Sequence, residues 1–143
     1  MREITLDEFR VYLEQGVKQS TVKKALDRAG LIVENDAKRR CPVGKTGLLR
    51  NSIQHRVENS GWENACYIGT NVEYAPYVEF GTGIHAANGD GRQTPWVYRT
   101  ADGEFYWTEG QKPQPYLEPA LEENTAAIKE ELLKTVKEDL FKE

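Results

Sequence analysis

Residues 54–70, QHRVENSGWENACYIGT, decide the fold. Gln54-His55-Arg56-Val57-Glu58 reads as a strand, and Asn59-Ser60-Gly61 carries turn chemistry. Ala65-Cys66-Tyr67-Ile68-Gly69-Thr70 reads as a second strand. Together they predict an antiparallel hairpin set between helical stretches.

Upstream, Thr5-Leu6-Asp7-Glu8 reads as a capping box, with Thr5 and Glu8 each satisfying a free backbone N–H. Leu6, Phe9, Leu13 and Val17 would form the apolar stripe of a short helix that Gly16 ends. Ser20-Thr21 can cap a second helix, in which Val22, Leu26, Ala29, Val33 and Ala37 recur at spacings of four, three, four and four. Lys23, Lys24, Arg28 and Lys38-Arg39-Arg40 lie mostly off that stripe. Pro42 stops the helix, because a residue before proline resists the α region. Gly44 and Gly47 bracket a turn, and Leu48–Ile53 is either one helical turn or the start of a strand.

Downstream, Pro76 suits the first turn of a short helix that Gly81 and Gly83 end. A long polar loop follows. Trp96-Val97-Tyr98-Arg99 and Glu104-Phe105-Tyr106-Trp107 flank Thr100-Ala101-Asp102-Gly103, an Asp-Gly hairpin signal. Its apolar residues do not all fall on one face, so this ribbon is expected to cover something else. Finally, Leu117, Leu121, Thr125, Ile128, Leu132, Val136 and Leu140 keep helical spacing over six turns, with Pro119 near the first position. The expectation is an α+β fold: an antiparallel sheet, two N-terminal helices and a long C-terminal amphipathic helix packed on it, and a protruding aromatic hairpin. One domain is expected over residues 1–143, with a loop and hairpin insertion at about 83–112.

With 38% hydrophobic and 10% aromatic residues, the chain is too apolar for a disordered segment. No apolar run approaches the ~20 residues of a membrane span, and the start lacks the apolar core of a signal peptide, so a cytoplasmic protein with no membrane partner is expected. The net charge of −4 is uneven: residues 18–56 carry ten Lys/Arg and three Asp/Glu, whereas residues 118–143 carry eight acids and four bases. Unlike surfaces of this kind could suit head-to-tail contacts, but charge alone favours two solvated helix faces.

Motifs for chemistry are weak. Gly44-Lys45-Thr46 matches the end of a phosphate loop, but Arg39 stands where the first glycine belongs, so a plain loop is expected. His55 and His85 have no motif around them and read as surface histidines. Asn88-Gly89-Asp90-Gly91 lacks the further oxygen ligands of a calcium loop. Cys41 and Cys66 lack zinc spacing and read as reduced thiols. Glu73 and Glu79 could be paired as acid and base, but capping or ion pairing suits them better. No catalytic residue, cofactor or metal is therefore expected. The basic helix 22–40 leaves one alternative, a small nucleic-acid-binding module.

Three blocks are distinctive: Cys41-Pro42-Val43-Gly44-Lys45-Thr46-Gly47-Leu48-Leu49-Arg50-Asn51-Ser52-Ile53, Val72-Glu73-Tyr74-Ala75-Pro76-Tyr77-Val78-Glu79-Phe80-Gly81-Thr82, and Pro113-Gln114-Pro115-Tyr116-Leu117-Glu118-Pro119-Ala120-Leu121. In order and spacing they resemble the HK-ninety-seven gene-product-ten-like family of phage tail components, over roughly residues 20 to 140. The chain departs at Lys45, where the family commonly has an acidic residue. The resemblance implies a non-enzymatic neck or tail-completion protein of a phage or prophage. It implies a ring homo-oligomer that is a hexamer in the virion, with a monomer allowed in isolation, and DNA passing through the lumen without sequence-specific binding. Partners would be other phage neck or tail proteins, met first in the host cytoplasm and then at the virion head–tail junction. Residues expected to shape or face such interfaces are Pro42, Thr46, Gly47, Leu49, Ser52, Tyr74, Pro76, Tyr77, Glu79, Phe80, Gly81, Thr82, Trp96, Tyr98, Phe105, Trp107, Pro115, Tyr116, Leu117 and Pro119.

Overall fold

Helices and antiparallel strands both form, as an α+β fold requires, in a computed structural model that describes residues 5–60 and 63–142. The side chains of Phe9, Tyr12 and Leu13 lie outside the described residues, as do Met1–Ile4, Gly61, Trp62 and Glu143. Contacts divide the chain into two compact units: residues 1–35, 54–68 and 121–143, and residues 36–53 and 69–120.

The first unit holds helix α1 (Leu6–Gln15), most of helix α2 (Gln19–Arg40), strands β1 (Gln54–Asn59) and β2 (Asn64–Gly69), which pair as one sheet, and helix α6 (Thr125–Leu140). The capping box forms: the Glu8 N–H donates to Thr5 Oγ1 at 3.2 Å, and the Thr5 N–H donates to Glu8 Oε2 at 3.0 Å. Gly16 ends α1 at a φ of +83°. The expected α1 stripe fares worse: Leu6 is 87% exposed, Val17 is half-buried, and Phe9 and Leu13 lie outside the described residues.

On α2, Ala25, Ala29 and Val33 are buried and Val22 and Leu26 are half-buried. The helix starts at Gln19 rather than at a Ser20-Thr21 cap, because the Lys18 carbonyl accepts the N–H groups of Thr21 and Val22. Thr21 is buried instead. Small residues let neighbours come close: a Cβ on Gly30 would stand 2.5 Å from Cys66 Sγ and 2.8 Å from His55 Cδ2. Arg28 ties α2 to α6 through Glu138 Oε2 at 2.8 Å and Thr135 Oγ1 at 3.4 Å. That carboxylate bond holds the Glu138 pKa below its ordinary range.

The second unit holds the end of α2, helix α3 (Leu48–Ser52), helix α4 (Ala75–Phe80), a 3₁₀ turn at Gly83–His85, the hairpin of β3 (Trp96–Arg99) and β4 (Phe105–Thr108), and the start of helix α5 (Leu117–Glu122). Its core gathers Ala37, Cys41, Leu49, Ile53, Ala75, Tyr116 and Ala120. Leu48–Ser52 is helical, which decides between the two readings of that stretch.

The six-turn C-terminal helix expected from Leu117 is broken, and its long part begins at Thr125. Thr125 supplies the reason. Its hydroxyl donates to the Glu122 carbonyl at 2.9 Å, and Asn124 takes a non-helical ψ of 11° before the Ile128 N–H restarts the ladder on the Asn124 carbonyl. Leu121, counted on the apolar stripe, is 54% exposed as a result. Pro119 is the third residue of α5, in its first turn.

Candidate functional site

Glu79 organises the second unit. Pro76 and Ala75 begin α4, and the helix turns Ala75 and Glu79 inward, one helical turn apart. Glu79 is 6% exposed. Oε2 accepts the N–H groups of Tyr116 at 2.8 Å and Leu117 at 3.1 Å, and Oε1 accepts that of Glu118 at 2.9 Å. These are the free donors at the start of α5, where a negative charge is favoured. The capping role expected for Glu79 is realised on a helix 37 residues further along the chain. Glu73, its suggested partner, is exposed.

Tyr116 is fully buried, and its phenol oxygen has no hydrogen-bond partner among the described residues. Burial, then Cys41, Glu79 and Tyr74, push its pKa up to about 12. Burial likewise raises the Cys41 thiol.

Gly81-Thr82-Gly83 forms the base of the long insertion. The Thr82 N–H donates to the Gln111 carbonyl at 2.9 Å, Thr82 Oγ1 accepts the Gln111 N–H at 2.9 Å, and the Ile84 N–H donates to the Glu109 carbonyl at 3.1 Å. Gly81 has a φ of +77°, and a Cβ there would stand 2.9 Å from two backbone oxygens. Only glycine fits.

The insertion ends in the aromatic ribbon. Trp96 pairs with Thr108, Val97 with Trp107, Tyr98 with Tyr106 and Arg99 with Phe105. The second strand thus runs one residue later than expected, because Gly103, at a φ of +88°, closes the turn onto the Thr100 carbonyl and Glu104 is used in the loop. Alternation puts Val97, Trp107 and Phe105 on one face and Trp96, Tyr98 and Tyr106 on the other. Tyr98 and Tyr106 stack at 5.8 Å, and Arg92 lies 5.5 Å over Trp96. Phe105 and Trp107 remain 67% and 65% exposed. Tyr74, which precedes α4, and Tyr77 and Phe80 within it, three residues apart, are also exposed.

The other named positions serve local shape. Thr46 Oγ1 accepts the Leu48 N–H at 3.3 Å, and Gly47 opens α3 in the left-handed region at a φ of +62°. Ser52 Oγ donates to the Leu49 carbonyl at 2.6 Å and meets Thr70 Oγ1. Pro42 follows the end of α2; Pro115, exposed, precedes Tyr116, and Leu117 is half-buried. Lys45 sits in an exposed loop after a helix, without the strand a phosphate loop needs.

His55 corrects the expectation of a surface histidine. Its side chain is 14% exposed and lies on the Gly30 niche, with Nε2 bonded to Asp27 Oδ1 at 2.9 Å and Nδ1 to Glu34 Oε2. The clue was Asp27, Gly30 and Glu34 on one helical face, two carboxylates flanking a glycine. Cys66 is close by, but both ring nitrogens face carboxylates, and burial, with Asp27 and Glu34, raises the thiol pKa. A cysteine so placed is a poor nucleophile. Among the described residues, no group of three His, Cys, Asp or Glu is placed to hold a metal ion, and no helix is long and apolar enough to cross a membrane.

A family model described as "Bacteriophage HK97-gp10, putative tail-component" matches residues 7–81, just over half of the chain. The first distinctive block falls inside that span, as does the second up to Gly81, and the block at 113–121 lies beyond it. No curated protein and no solved structure matches.

Proposed function

We infer that this chain, which belongs to the bacteriophage HK97-gp10 tail-component family, works as a ring subunit at the head–tail junction. Membership makes it a phage tail-related structural component. The finer reading is that copies close into a homo-hexameric neck or tail-completion ring, with DNA passing through the lumen. The ring would assemble in the host cytoplasm with other neck or tail proteins and remain in the virion. The subunit acts by shape, without catalysis. We treat residues 1–143 as one domain, because neither compact unit is a continuous stretch of chain.

The observation that carries this reading is the ribbon of β3 and β4. A two-stranded ribbon is marginal alone, and this one carries aromatic residues on both faces, with Phe105 and Trp107 largely exposed. Such residues are the anchors of protein interfaces. The charge of α2 favours nucleic acid less: Arg28 is bonded to Glu138, and Arg39 and Arg40 to Asp36. Light scattering of the protein, alone and mixed with tail-tube and head-completion proteins, tests the proposal. The wild type should form rings in at least one mixture, and a double Phe105→Ala, Trp107→Ala variant should stay folded and fail to do so. A monomer in every mixture would overturn the reading.

A further inference from the structure

We propose that Asp27, His55 and Glu34 form a clasp, operated by a single proton, that fastens strand β1 to helix α2. The helix provides the seat. Residues 27, 30 and 34 share one face, with a carboxylate at each end and Gly30 between. The missing Cβ of Gly30 leaves the space that the imidazole fills. Glu34 Oε2 also accepts the His55 backbone N–H at 3.0 Å, so main chain and ring are gripped together.

The ring's own chemistry makes the clasp conditional. A neutral imidazole has one N–H and one lone pair. Held between two carboxylates, it would satisfy one and aim its lone pair at the other. The imidazolium donates to both. Among the described residues of the neighbouring elements, β2 contributes the Cys66 thiol, Arg56 on β1 pairs with Glu58 at 2.9 Å, and Arg28 is engaged by Glu138 of α6. Burial opposes the charged ring, but the hydrogen bonds and charges of Glu34 and Asp27 outweigh it and raise the His55 pKa above its ordinary value. The clasp is therefore fully closed below the unfolded-state pKa of about 6.5, and it is lost as pH rises through the higher folded value. It stands apart from the tail reading and would hold whatever the subunit assembles with.

The test is an NMR titration of the imidazole signals, with His85→Gln assigning the second histidine, beside urea unfolding at about pH 6 and about pH 9. His55 should titrate above a histidine peptide, and Asp27→Asn, at a largely exposed position, should move its midpoint down. The wild-type urea midpoint should fall between the two pH values and that of His55→Gln should not. If His55→Gln does not fold, the Asp27→Asn titration decides. A His55 midpoint at or below the peptide's, no change in Asp27→Asn, or a level wild-type urea midpoint would each overturn the clasp.

Discussion

Replacing Glu79 by glutamine should cost the protein about 2–3 kcal/mol, although it removes one charge and changes no volume. The residue is 6% exposed, and its carboxylate accepts three backbone N–H groups at 2.8, 3.1 and 2.9 Å. Hydrogen bonds to a charged group each contribute about 1.5–3 kcal/mol, and an amide has only one oxygen to accept them. Its NH₂ must face a donor, so one or two bonds fail. Glu79→Ala should cost more, about 3–5 kcal/mol, because it strands the N–H of the fully buried Tyr116. For a chain of this length, the glutamine variant should melt about 5–10 °C lower. Differential scanning calorimetry and urea unfolding measure this, with exposed Glu73→Gln as a control that should not move. A Glu79→Gln protein melting within about 1 °C of wild type would refute the argument that the cap holds α4 and α5 together.

Two further substitutions probe the packing. Gly30→Ala gains about 1 kcal/mol of helix propensity but places a methyl 2.5 Å from Cys66 Sγ, so urea unfolding should show a net loss of about 1–2 kcal/mol. Tyr116→Phe deletes a buried hydroxyl with no partner among the described residues, so it should be neutral or stabilising by up to about 1 kcal/mol. An alkaline absorbance titration of wild type against that variant should isolate a phenol ionising at about 12.

Local signals carried much of this architecture. The capping box at Thr5, the glycine end of α1, the stripe of α2 and the strands of both hairpins are set by residues close together in sequence, and they form within a residue or two of expectation. What escaped were pairings across distance. Nothing around Glu79 says that its carboxylate will cap a helix starting at Leu117, since that depends on where two segments meet. His55 looked idle because its partners lie 21 and 28 residues upstream. The break before Thr125 was hidden by an apolar period that continues through it, while a single hydroxyl competed for the backbone. Around α4, the aromatic residues suited an anchor against either core or neighbour, and helical spacing gave the inward positions to Ala75 and Glu79.

The stapled foot of the insertion has a practical consequence. Thr82, Ile84 and Gln111 bond the outgoing and returning chain to each other, so the two ends of the insertion are pinned together. A loop already closed at its foot adds little entropic cost when its tip lengthens, so changes at the tip should disturb the body least. Related subunits could therefore exchange arms to suit different docking partners. The exposed turn at Ala101-Asp102 is the natural place to graft an affinity tag or a fluorophore.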